Sequence, residues 1–269
     1  MDIVHLRCAG IDISKRDAKV CVRIANDSGG KAKSTVTTWS SVTNQVLALR
    51  DHLTAGQVTL VAMEATSDYW KIYYYLLEDA PFEVMLCNPR QVKNLPGRKT
   101  DVSDAAWLAQ LGAHGLLRGS FVPPEPIREL QDLTRTRSVI VRERAREIQR
   151  LEKLLEDAGI KLSLVATDIT GVSGRAMLEA LIEGQRNPAV LAELAQRWLR
   201  SIIPELAEAL TGRFREHHHF LARLHLNLID QHSAAIEELT HQQNRGGDGA
   251  LSPSEGPDCH HSRDLYIDC

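Results

Sequence analysis

Apolar residues along the first third of the chain alternate or run together in short stretches; farther on they recur at helical spacing. Residues 3–13, from Ile3 to Ile13, read as a strand, and a second β-run, Ala18 to Ala25, follows after only Ser14 to Asp17. Asn26-Asp27-Ser28-Gly29-Gly30 has hairpin-turn composition, and Ala32 to Trp39 alternates as a third strand. Val42, Val46, Leu49 and Leu53 form a helical stripe that Gly56 ends. Val58 to Met63 is almost unbroken apolar sequence, as in a strand buried on both faces, and it closes in Glu64-Ala65-Thr66. A helix from Tyr69 to Asp79 and a strand from Phe82 to Cys87 complete a β-α-β unit.

An antiparallel meander followed by helix, strand, helix, strand and helix predicts an α/β fold of the ribonuclease H-like class. Asn88 to Thr100 reads as a basic loop before a helix that begins near Asp101 and runs through Ala105 to Leu111. Pro123-Pro124 closes this part. Residues 126–158 then form one long helix with apolar marks from Ile127 to Ala158 and a polar face carrying Arg135, Arg137, Arg142, Arg144, Arg146 and Arg150. Its length and spacing fit a coiled coil or a protruding arm, suited to dimerisation or to phosphate contacts, and they fit as well a solvated amphipathic helix packed on its own domain. Residues 160–240 read as mainly helical, with Pro188 and Pro204 starting helices and Leu221, Leu224, Leu228, Ala235 and Leu239 marking the packed face of the last one. From 241 the Gly, Ser and Pro content predicts an unstructured tail over 241–269.

Composition narrows the picture. At 269 residues, 43% hydrophobic and 25% charged, the chain is globular, and with aromatics at 5% its core must rest on aliphatic side chains. A net charge of −3 gives no general attraction to nucleic acid, so such a partner has to be met by local patches. Cys8, Cys21 and Cys87 fall in strand-like runs and read as small buried hydrophobes in a reducing compartment. No signal pattern or membrane-length apolar run is read, and the expected location is the cytoplasm.

The candidate chemistry is carboxylate chemistry. Asp101 and Asp104, three residues apart at a helix start, fit a shared cation; taken alone they fit ordinary capping better, with Asp101 as N-cap and Asp104 as the N3 acid. Asp12, ending the first strand, and Glu64, ending the fourth, would converge at the sheet edge, and four acids there would hold two Mg²⁺ (or Mn²⁺) ions for phosphodiester chemistry. His217, His218 and His219 point in three directions on a helix, which argues against one shared metal, and Cys259, His260, His261 and Cys269 offer a zinc set only in principle. Gly-Ile-Asp-Ile-Ser also opens the phosphate site of actin-like kinases, with residues 168–174 as a second phosphate loop, but that reading leaves Glu64 and Asp104 without a role.

Gly10-Ile11-Asp12-Ile13-Ser14, Met63-Glu64-Ala65-Thr66 and Lys99-Thr100-Asp101-Val102-Ser103-Asp104-Ala105 resemble the motifs of DEDD insertion-sequence transposases with a RuvC-like N-terminal domain. The likeness extends through residues 154–161 and 171–175 and covers roughly residues 4–240. It implies a RuvC-like catalytic domain over 1–122, a helical arm and linker region over 123–240, and a tail over 241–269 foreign to the family. It further implies metal binding by Asp12, Glu64, Asp101 and Asp104, DNA as substrate, a structured guide RNA, and a homo-oligomer built through the arm. The family's second catalytic region carries a serine nucleophile; Ser252, Ser254 and Ser262 match no such motif, so a frame change or truncation near 241 is expected. The alternatives are a RuvC-like nuclease acting on branched DNA and a non-catalytic subunit that interferes with an intact transposase.

Overall fold

The computed structural model describes residues 3–25, 32–95 and 103–250, the last four of these as backbone only. The chain divides into two compact units, Met1–Val122 and Pro123–Cys269.

The first unit is a five-stranded sheet in the order β3-β2-β1-β4-β5. Strands β1 (Arg7–Ile13), β2 (Asp17–Ile24) and β3 (Lys33–Ser40) form the antiparallel meander, while β4 (Leu60–Glu64) and β5 (Glu83–Cys87) run parallel to β1. Order and directions are those of a ribonuclease H-like sheet. Helices α1 (Thr43–Ala55) and α2 (Trp70–Leu77) connect β3 to β4 and β4 to β5. They cover one face, where Ile11, Val61 and Met63 pack with Val46, Leu49, Leu53, Tyr73 and Leu77, most of them fully buried. Each such side chain contributes about 1.5–3 kcal/mol of transfer free energy. Two more helices follow, α3 (Pro89–Lys93) and α4 (Asp104–Ala113). Helix α4 takes the other face, against Cys8, Cys21 and Leu60. The apolar run of β4 is thus buried on both sides because alternate residues serve two separate layers, and the three thiols are buried as expected.

Helix α3 falls where the sequence reads as loop. Its start has ordinary chemistry: the Asn88 side chain accepts from the Arg90 N–H, and Pro89 occupies the first turn.

The second unit is helical. Helices α5 (Glu125–Asp157) and α10 (Glu216–Ala250) form a long antiparallel pair; α6 (Leu162–Val165), α7 (Val172–Ile182), α8 (Pro188–Ala192), a 3₁₀ turn (Arg197–Ile202) and α9 (Ile203–Ala209) complete the core at one end of it. Gly159, at φ +75°, lets α5 stop: its N–H and that of Ile160 donate back to Glu156 and Leu155 carbonyls. Two expectations change here. Helix α10 continues to Ala250, so the tail read as unstructured from 241 is helical for its first ten residues; residues 251–269, with the histidine–cysteine set at their end, lie outside the described residues. The packed stripe of α10 is Ala222, Leu226 and Ile229, whereas Leu224 is exposed.

Candidate functional site

Strand register places the first two acids. Ile11 pairs with Met63 in the parallel β1–β4 ladder, so Asp12 and Glu64 are the next residues on neighbouring strands, at the same end of the sheet. Adjacent strands lie about 4.8 Å apart. Alternation fixes their face: Cys8 and Leu60 pack against α4, and so therefore do positions 10, 12, 62 and 64. Both acids are partly buried.

Helix α4 brings Asp104 to this edge. Gly10 makes the close approach possible, because a Cβ there would stand 2.2 Å from the Ala105 carbonyl oxygen and 2.5 Å from the Ala109 nitrogen. The Cys8 Sγ donates to the Ala109 carbonyl at 3.0 Å, and the Val4 N–H donates to that of Ala113 at 2.8 Å. Helix α4 therefore runs antiparallel to β1, and its first residue, Asp104, lies at the end where Asp12 and Glu64 stand. The positive end of its dipole faces the acids and offsets part of their mutual repulsion.

The cap differs from the expected one. Ser103, not Asp101, is the N-cap: its side chain accepts from the Ala106 N–H at 3.3 Å, and Asp104 is the first helical residue rather than the N3 acid. The serine starts the helix, so Asp104 is not consumed by a capping box and stays exposed at the mouth of the site. Asp101 lies outside the described residues.

Glu64 faces Cys87 across the β4–β5 ladder. Burial, and then the Glu64 carboxylate, push the Cys87 thiol up to about 12, so it remains protonated at neutral pH. The donors that Asp12, Glu64 and Asp104 bring to this edge are all carboxyl oxygens, a set suited to Mg²⁺ or Mn²⁺ and poorly suited to soft metals.

A second cluster arises in the helical unit. Asp157, His217 and His218 bring ligand-type atoms within 4.8 Å of one another, although adjacent helical histidines were expected to diverge; the two rings lie 3.9 Å apart. His218 is nevertheless committed. Its Nδ1 accepts from the Arg215 N–H at 3.0 Å, so Nε2 carries the proton and donates to Asp157 at 2.9 Å. No lone pair is left for a metal, and the ring acts as the cap of α10. That juxtaposition depends on helix register across 61 positions, which no local motif could announce.

The arginines of α5 are placed differently from the single polar face expected. Arg137 and Arg144 turn toward α10, where their Nε atoms donate to Thr240 and Ser233, both at 2.8 Å. Arg135, Arg146 and Arg150 pair with Asp132, Glu143 and Glu147 on their own helix. Three of the six arginines are thus charge-paired along α5, and two more are spent on hydroxyls of α10.

A family model for transposases, the IS110 type with a DEDD motif, matches residues 9–160. The chain belongs to that transposase family. Nothing among the curated proteins matches it. Among solved structures it is similar to the Fowlpox virus resolvase, both in complex with its substrate Holliday junction DNA (14% identity) and as the Holliday junction resolvase alone (13%). Each likeness covers 35% of this chain and 65% of the viral one, with a TM-score of 0.26. The match to the transposase family contains Asp12, Glu64, Asp101 and Asp104 together with α5, so the sheet unit and the start of the helical unit are both family territory. Among the described residues no helix is long and apolar enough to cross a membrane.

Proposed function

We propose that the chain is a DNA transposase or recombinase of an insertion sequence, with Asp12, Glu64, Asp101 and Asp104 holding Mg²⁺ or Mn²⁺ for phosphodiester strand transfer. The observation that carries this reading is the register that sets Asp12 and Glu64 side by side on the face where α4 begins with Asp104. Bound there, the divalent cation would supply Lewis-acid polarisation of a phosphodiester. The chain's own part is to fix the acids. Two rise from the rigid ends of parallel strands, and one is set by the packing of α4 on Gly10. Buried Cys87 pairs with Glu64 on the neighbouring strand.

The resemblance extends the proposal to a structured guide RNA, to a multimer built through α5, and to work on DNA at the nucleoid. No serine nucleophile is assigned in this sequence.

Calorimetric titration with Mn²⁺ tests the centre. Asp12→Ala, Glu64→Ala and Asp101→Ala are each expected to lose measurable Mn²⁺ binding with unchanged helical signal in circular dichroism. Undiminished affinity in all three variants would overturn the four-acid site. Offering the same protein branched and linear DNA then separates the readings: cleavage of branched DNA without any RNA favours a junction nuclease over a guided recombinase.

A further inference from the structure

Lys19 stands directly opposite Asp12 in the β1–β2 ladder, and Thr38 stands opposite Lys19 in the β2–β3 ladder. Alternation puts both on the α4 face, since Cys21, two residues on from Lys19, packs in the α4 layer. The cover of α4 thins from β2 to β3. Cys21 is 0% exposed while its partner Val36 is 50% exposed, and Lys19 and Thr38 are exposed as well. An open strip of sheet therefore leads from the edge strand, through Val36, Thr38 and Lys19, to the first acid of the site.

A carboxylate cluster repels the phosphates on which it is meant to act, and a chain of net charge −3 supplies no general attraction. An approaching DNA strand needs a cation beside the acids that belongs to the protein itself. Lys19 is in that place. Directly opposed residues on neighbouring strands have Cβ atoms about 4.5–5.5 Å apart, and the lysine stem is long enough to carry its ammonium past the carboxylate to a phosphate next to the one under attack. The Thr38 hydroxyl lies one strand farther out, in line with it.

We propose that the Val36–Thr38–Lys19 strip is the track of the DNA backbone into the acid site, with Lys19 holding the flanking phosphate and Thr38 donating a hydrogen bond along the same strand. The proposal rests on the reading that the acids act on DNA. It assigns Lys19 a positioning role on the substrate and makes no claim on the bond that breaks.

The test is equilibrium binding of a short fluorescein-labelled duplex to the full chain, followed by anisotropy over a range of salt in Ca²⁺. Each lysine–phosphate contact contributes roughly 0.9 to the slope of log K against log salt. Lys19→Gln is expected to reduce the slope by about that amount, Lys19→Arg to retain it, and Thr38→Val to weaken binding about tenfold with the slope unchanged. Because Lys19 is exposed, its variants should melt as the unaltered chain does. Tight binding by Lys19→Gln with an unaltered slope would overturn the track and leave the DNA reading standing. Failure of the unaltered chain to bind the duplex at any salt would overturn the DNA reading, and the track with it.

Discussion

In the sheet unit the polar groups of interest stand at the ends of strands, clear of two apolar layers, whereas in the helical unit they lie inside the seam between α5 and α10. The sheet sets Asp12, Glu64 and Asp104 at one edge by packing, because alternation fixes its register: a slip by one residue would turn Ile11 and Met63 out of the α1–α2 layer and bring Asp12 into it. The α5–α10 pair has no such resource. Among the described residues of α5 only Glu147, Leu151 and Leu155 are buried. Its register is specified instead by side-chain pairs: Thr134 with Gln243, Arg137 with Thr240, Arg144 with Ser233, Glu147 with His225 and Asp157 with His218. Charge at the end of a packed sheet is placed by the apolar layers behind it; charge along a sparse helical seam is largely used in holding the seam.

The most damaging way to break this contrast is to spoil the apolar side of it. Gly10→Ala would drive a methyl group into the backbone of α4, which cannot step aside without leaving the sheet. A loss of about 3 kcal/mol is expected, the upper end for overpacking, read as a fall in the urea midpoint. Asp104 moves with α4, so Mn²⁺ affinity should fall in the same variant although no acid has been touched. A midpoint within error of the parent would mean that α4 does not rest on β1 as described.

Next in size is the polar seam. Burial alone would raise the Glu147 carboxyl, but the His225 hydrogen bond and the Arg150 charge outweigh it and hold the group below the ordinary value near 4.5. Asp157 is held below its ordinary 3.8 chiefly by the hydrogen bond from His218. A depressed carboxyl stabilises the fold fully above its unfolded value, and that contribution is lost as pH falls through the folded one. Unfolding of the helical unit should therefore become easier below about pH 4.5. Glu147→Ala should cost about 2 kcal/mol at pH 7 by leaving His225 without its buried partner. Melting followed by circular dichroism from neutral to acid pH checks both; in Glu147→Gln the acid-side decline should be shallower, and an identical profile would remove Glu147 from the account.

A smaller effect tests how α4 begins. Ser103→Ala removes the acceptor for the Ala106 N–H and should cost about 1 kcal/mol. If Asp104 were the capping group, its replacement by Ala would cost more than loss of the serine, and comparing the two melting points decides between them.

The sheet was legible because its signals are local and periodic: a two-residue period in Ala32 to Trp39, an unbroken run in Val58 to Met63, and acids at the ends of both β1 and β4. The short helix α3 was missed although Asn88-Pro89 is a helix-start signal, because basic residues and the prolines around it read as loop. The cap at Ser103 was not legible, because the Asp-x-x-Asp spacing puts the helix start at Asp101. The seam was not legible at all. Arg137 and Arg144 look like members of a solvated basic face until α10, about ninety residues or more away, returns to lie against them. The period of α5 shows that a stripe exists; which neighbour covers it is decided by pairs such as Arg144 and Ser233, and those are long-range.

The smallest expected effect sharpens the comparison most. Arg137, Arg144 and Leu151 follow one another at seven-residue intervals, so two arginines occupy the stripe that a fully buried leucine occupies farther along. If they served stability alone, Arg137→Leu with Arg144→Leu should leave it little changed, within about 1 kcal/mol, because apolar burial replaces partly exposed polar contacts. Ser233 and Thr240 would not be orphaned, since each hydroxyl also donates to a carbonyl on its own helix, those of Ile229 and Ile236. What the arginines add is register: a leucine stripe lets α10 slide by one heptad at small cost, and the guanidinium–hydroxyl pairs do not. The double variant should therefore keep its melting temperature while amide exchange along α5 and α10 accelerates. A large loss of stability would show that the seam is held by these pairs rather than aligned by them, and the helical unit would then depend on its polar contacts as the sheet depends on its apolar ones.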